Sequence, residues 1–189
     1  MPTALQHPHL RLLLADAEAI RAEAERLRDT LSDAQRTWKP EPGVWSVAEC
    51  FEHLRKVDKS YARKLDEAIE RAGSGVADYK PSLFGRSFIH FTSPASRVKL
   101  KAPKGVRPTT AAASADADAI EQFLDQQTAV LDLIRRADGR DLNGEKFASP
   151  IASIVRFSVG EGLTLLVRHE QRHLGQAQRL TERADFPTA

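Results

Sequence analysis

Apolar residues recur at steps of three and four in four long stretches of the chain, and turn-forming residues end each stretch. The first seam reads Leu10, Leu13, Ala17, Ile20, Ala24, Leu27 and Leu31, begins after Pro8, and carries Arg and Glu on its outer side. That pattern predicts an amphipathic helix with one core-facing stripe. The rigid segment Trp38-Lys39-Pro40-Glu41-Pro42-Gly43 breaks it. A second helix starts at Ser46-Val47-Ala48-Glu49, where serine and glutamate can cap each other's free amides. Its stripe is Val47, Cys50, Leu54, Val57, Tyr61, Leu65 and Ala68, bordered by His53, and Gly73-Ser74-Gly75 ends it. A third helix is expected from near Ser114 to Ala137, with Ile120, Phe123, Leu124, Gln127, Val130, Leu131 and Ile134 inward. A fourth opens on a second capping box, Ser158-Val159-Gly160-Glu161, and runs to about Arg183.

Two connections lack a sustained period. Residues 75–112 hold four prolines and the basic series Arg97, Lys99, Lys101, Lys104 and Arg107, together with Phe84, Phe88, Ile89 and Phe91. Those phenylalanines argue for an ordered excursion lying on the helices, with room for a short helical turn. The basic series reads as a solvated rim. The second connection, Arg140 to Phe157, is expected to be irregular. Four helices of some twenty residues with one long crossover describe an all-α four-helix bundle, read as a single domain over residues 1–189.

Composition narrows the picture. Lys+Arg 28 against Asp+Glu 26 leaves a formal net charge of +2, too even to point to nucleic acid. Only 6% of residues are aromatic, which favours helices over sheets. The single cysteine, Cys50, leaves no internal disulfide and is read as a buried structural thiol. No apolar run is long enough to span a bilayer, and Asp16 and Glu18 interrupt any leader-like start. A cytoplasmic protein is therefore expected.

The candidate chemistry lies in His169-Glu170-Gln171-Arg172-His173. Two histidines four apart on a helix stack on one face, and here they fall in the stripe Gly162, Leu166, His169, His173, Ala177, Leu180. Neutral imidazoles turned toward a core need partners, and a divalent cation would serve both. In a bundle such sites are built from facing helices, so His53 can supply a third nitrogen. Three neutral donors with open positions characterise catalytic rather than structural sites. Gln176, one turn beyond His173, can bond a ligand ring from behind or fix a bound water. Glu49 reads as the capping-box partner, and Trp45 as either a pocket wall or a packed helix-entry residue. Glu170 is expected to point away from the ligands toward solvent or a rim. His7, His9 and His90 receive no role. The same segment fits the zinc-protease helix, but the long variant of that motif needs glycine and histidine where Gln176 and Arg179 stand.

Trp38-Lys39-Pro40, then Pro42-Gly43-Val44-Trp45-Ser46-Val47-Ala48-Glu49 and His53-Leu54, with His169 to His173-Leu174-Gly175-Gln176, resembles the DinB/YfiT-like superfamily over nearly the whole chain. The resemblance implies a four-helix bundle with up-down-down-up order, often dimeric. It implies a histidine triad at His53, His169 and His173 that binds nickel, zinc or iron. It also implies metal-dependent activity of the hydrolase or thiol transferase type, the latter using a low-molecular-weight thiol. The leading expectation is an enzyme whose metal activates a water or thiolate for attack on a small electrophile. The alternative is a non-catalytic bundle, stabilised by its metal, that acts through dimerisation or partner binding.

Overall fold

The computed structural model describes residues 5–98, 101–109 and 118–188. The chain is mostly helical. Four long helices carry it: α1 (Pro8–Thr30), α3 (Val47–Arg71), α5 (Ala119–Arg136) and α6 (Val159–Thr181). Two shorter helices, α2 (Asp33–Thr37) and α4 (Leu83–Thr92), a single 3-10 turn (Lys104–Val106), and two strands, β1 (Lys146–Ala148) and β2 (Arg156–Ser158), complete the regular elements among the described residues.

Local sequence chemistry explains the helix starts. Pro8 opens α1 and the His7 ring accepts from the His9 amide as its cap. Ser46 with Glu49, and Ser158 with Glu161, form the reciprocal boxes that start α3 and α6. A third box, Ser32 with Gln35, starts α2, a helix that the seam of α1 does not announce because it holds a single turn. Leu31 caps α1 instead of continuing its stripe.

The seams meet as a ring. α3 packs against α5 and α6 on one side, and α1 packs against the same two helices on the other. The stripes of α1, α3 and α5 through Leu10, Ile20, Leu54, Leu65, Phe123 and Ile134 are buried between them. Phe51 and Phe123 meet with ring centroids 5.2 Å apart at the α3–α5 contact.

The connections depart from expectation in two places. The excursion contains α4, ten residues long, which lies along α6, and its start is fixed by Ser82, whose amide and hydroxyl donate to Glu161. The expected irregular stretch 140–157 holds a small antiparallel hairpin that pairs Phe147 with Phe157. Three-residue strands leave too little alternation to be read from sequence. Both phenylalanines are buried, and Phe147 reaches α6 at Gly162, where a Cβ would stand 2.6 Å from the ring. Glycine there permits the close approach. Arg97, Lys101, Lys104 and Arg107 are exposed, as a rim would be. Lys99 and the expected helix start at Ser114 lie outside the described residues; within them, α5 begins at Ala119.

Candidate metal centre

His53 sits nearly two turns into α3, three residues after Cys50 and four before Val57, both buried, so the helix period turns its ring inward. His169 and His173 stand one above the other on α6, and the α3–α6 contact brings the three rings together. Ring centroids are 5.0 Å apart for His53 and His169, 4.7 Å for His53 and His173, and 4.6 Å for His169 and His173. One nitrogen from each lies within 4.8 Å of the other two, so the triad could hold a metal ion. His53 is buried, while His169 and His173 keep part of their surface in solvent.

The outer nitrogens decide where the lone pairs point. His53 Nδ1 lies 2.7 Å from the Val106 carbonyl oxygen, which accepts only, so the proton belongs on Nδ1 and Nε2 carries a lone pair. The His173 Nδ1 faces Gln176 Oε1 at 3.1 Å with the same result. The inner nitrogens, His53 Nε2 and His169 Nε2, then face each other across 3.3 Å. Two nitrogens bound to one tetrahedral ion at about 2.0–2.1 Å would stand about 3.3–3.4 Å apart. The donor set and its spacing therefore fit a divalent metal. His169 Nδ1 is buried without a hydrogen-bond partner.

Electrostatics keeps the rings neutral. Burial lowers the His173 pKa to about 3, helped by the neighbouring His53 and opposed by the bond to Gln176. Burial also holds His169 well below the ordinary imidazole value, with His173, His53 and Arg172 adding to it. His53 is lowered by burial and raised in part by Val106. The external charges bearing on the rings are cationic: Lys56 on His53, Arg172 on His169 and His173, and Arg179 on His173. Neutral imidazole is the form that ligates.

Trp45, at the entry to α3, walls the site. Its ring stacks on His173 with centroids 5.5 Å apart and tilts over His53 at 4.9 Å. Gln176 holds the outer nitrogen of His173. Glu49 completes the Ser46 box and pairs with Lys39 at 2.8 Å, a helix-starting arrangement.

Glu170 corrects its expectation. It does not face solvent or a rim: it is fully buried, accepts from Gln127 of α5 at 3.1 Å, and lies within hydrogen-bonding reach of Asp58 of α3. Burial pushes its pKa up to about 8 and drives that of Asp58 well above the carboxylate range. A quarter-turn from the ligand face of α6 is the core, because α1 and α5 cover that side. The signal was present in the sequence: Glu170 shares its face with Leu163, Leu166, Val167, Leu174 and Ala177, all buried.

Sequence reasoning also missed what ties the excursion to the site. Besides Val106 on His53, Arg107 O accepts from Lys56 at 2.8 Å and the Thr109 hydroxyl donates to Glu52 at 2.7 Å. Arg172 donates to the carbonyls of Ser93, Ser96 and Val98 at 2.9, 2.8 and 2.7 Å. Backbone acceptors in a segment without periodicity leave no side-chain pattern to read. Cys50 is buried, and its thiol is pushed up by burial. His7 caps α1, and His9 stacks on Tyr79 at 4.1 Å and bonds Thr164 at 2.8 Å; both are structural.

The sequence profile of the DinB superfamily matches residues 16–177. Among curated proteins the chain is similar to "Uncharacterized protein YuaE" of Bacillus subtilis (strain 168), with 25% identity over 160 residues that cover 82% of this chain and 88% of that protein. No solved structure matches the chain.

Proposed function

Because the chain belongs to the DinB superfamily, we propose that His53, His169 and His173 hold one divalent metal ion and that the protein is a metal-dependent enzyme acting on a small electrophile. One observation carries this reading: the inner nitrogens of His53 and His169 stand 3.3 Å apart, the separation of two donors on one tetrahedral ion, while the outer nitrogens of His53 and His173 are each held by an acceptor. Without an ion the His169 Nε2–H can donate to the lone pair of His53 Nε2; a cation takes the place of that proton, moves it to Nδ1 of His169 and bonds both inner nitrogens.

Nickel, zinc or iron would be held by these imidazoles. Bound there, such an ion supplies Lewis acidity and lowers the pKa of a water or thiol beside it. The chain's own residues do the rest. Val106 and Gln176 fix the tautomers of His53 and His173, so that their inner nitrogens stay free of protons. Trp45 gives the site an apolar wall against which an organic substrate can lie. Lys56, Arg172 and Arg179 set a positive field that favours an anionic nucleophile, such as a water- or thiol-derived anion, over a cationic one. Among the described residues the ligating group contains three side chains, which leaves positions for exogenous ligands. That count favours catalysis over a closed structural site.

We read the ring of α1, α5, α3 and α6 as a four-helix bundle in up-down-down-up order. Among the described residues no helix is long and apolar enough to cross a membrane. A cytoplasmic homodimer with a small-molecule substrate completes the proposal.

The test is a panel of low-molecular-weight thiols and water against alkyl and acyl electrophiles, with the chain loaded in turn with zinc, nickel or iron. Turnover that needs the metal and disappears in His169→Ala supports the reading. Metal uptake without turnover on any pair favours the non-catalytic bundle.

A further inference from the structure

A second polar cluster lies in the helix core, built by helices that also border the triad. Asp58 of α3, Gln127 of α5 and Glu170 of α6 are all 0% exposed. Four of their oxygens have no hydrogen-bond partner: Asp58 Oδ1 and Oδ2, Gln127 Oε1 and Glu170 Oε1. The groups are held against one another. Gln127 Nε2 donates both to the Ala17 carbonyl of α1 at 3.2 Å and to Glu170 Oε2 at 3.1 Å, and the Asp58 and Glu170 carboxyl groups are within hydrogen-bonding reach. With its amide hydrogens committed, Gln127 presents its oxygen as a bare acceptor.

With both acids ionised, four acceptors from three residues would stand in the core without a donor, which is expensive unless a proton shared between Asp58 and Glu170 or a cation satisfies them. No cation of the chain pairs with either acid in any ion pair or hydrogen bond of the described residues. A divalent ion among these groups would give the buried carboxylates the counter-charge that no side chain of the described residues supplies. We propose that Asp58, Gln127 and Glu170 form a second, oxygen-only cation site for a hard divalent ion such as Mg2+ or Mn2+. Carboxylate and amide oxygens suit these ions, whereas imidazole suits the borderline metals expected at the triad. The two sites therefore differ in donor chemistry as well as in position. Held there, the ion links α3, α5 and α6 from inside the core.

The experiment uses the full chain, saturated with Zn2+ to occupy the imidazoles and freed of excess. Mn2+ is then titrated and the unbound fraction read by electron paramagnetic resonance. The expected result is one further equivalent of Mn2+ per chain, retained in His53→Ala and lost in Asp58→Asn and in Glu170→Gln. Circular dichroism reports whether each variant is folded, and Gln127→Leu, which removes one donor and no charge, is expected to weaken Mn2+ binding in a folded chain. Absence of bound Mn2+ in the unsubstituted protein overturns the proposal and leaves two acids that hold protons in place of an ion. Retention by Asp58→Asn, or loss in His53→Ala alone, assigns the Mn2+ to the imidazoles and overturns it equally. Zinc uptake is read in the same samples, so failure of the triad and failure of this site are separate outcomes.

Discussion

At the scale of the residue, the site is defined by what stands behind each ring. His173 depends on Gln176, one turn along the same helix, to keep its proton on Nδ1. Gln176→Leu removes that acceptor without touching a ligand, and partners of this kind are worth about 10–100-fold in metal affinity. A zinc competition with a chromophoric chelator is expected to show a drop in that range with the fold unchanged. Cys50 provides a contrast. Its thiol is fully buried with its pKa raised, so it is expected to resist a thiol-directed reagent at pH 8 in the native chain and to react at once in denaturant. The spacing of His169 and His173 and the placement of His53 beside a stripe were readable, because helix periodicity converts position into direction. The outward expectation for Glu170 fails because the direction a quarter-turn from the ligands is the core, marked by buried Leu163, Val167 and Leu174. The same holds for Asp58: its neighbours Leu54, Val57 and Tyr61 mark its face as buried.

At the scale of the element, α6 joins the parts. Its capping glutamate, Glu161, serves the start of α6 and also receives Ser82, so one carboxylate positions two helices. Gly162 lets Phe147 of the hairpin and Leu65 of α3 close on the helix; a Cβ there would meet them at 2.6 and 2.9 Å. Gly162→Ala is expected to cost about 1–3 kcal/mol through overpacking, offset in part by better helix propensity, as read by urea denaturation. Arg172 fastens 93–98 to α6 beside the triad. Arg172→Ala is expected to speed tryptic cleavage at the exposed Arg97, with the cut located by mass spectrometry. The long helices and two of the capping boxes were legible because period and cap chemistry are local. α4, the hairpin and the ties to Val106 and Arg107 were not, since tertiary contacts with α6 and α3 supply what their short sequences lack.

At the scale of the whole molecule, two buried sets of titratable groups oppose each other. The histidine contribution to stability is complete above the unfolded value of 6.5 and is lost as pH falls toward the folded value of about 3 for His173, because the unfolded chain takes up the proton first. Glu170 runs the other way. Its folded pKa is raised from 4.5 to about 8, so the stability of its neutral form is present below 4.5 and lost as pH rises through 8. In chelator-treated protein the two trends offset each other between 4.5 and 6.5, the histidines dominate below, and the acids dominate from 6.5 to 8. Thermal denaturation across pH 3–9 is expected to show both flanks, with Glu170→Gln flattening the alkaline one. Zinc at about a hundred times its dissociation constant is expected to add about 2.7 kcal/mol to the folded state near neutral pH.

The central claim is that three imidazoles from two helices share one ion. X-ray absorption at the zinc edge of the loaded full chain reads this directly. The account predicts one tightly held ion with three imidazole nitrogens at about 2.0–2.1 Å. A first shell with fewer than three imidazoles, or a chain that releases its zinc on dialysis, would contradict it.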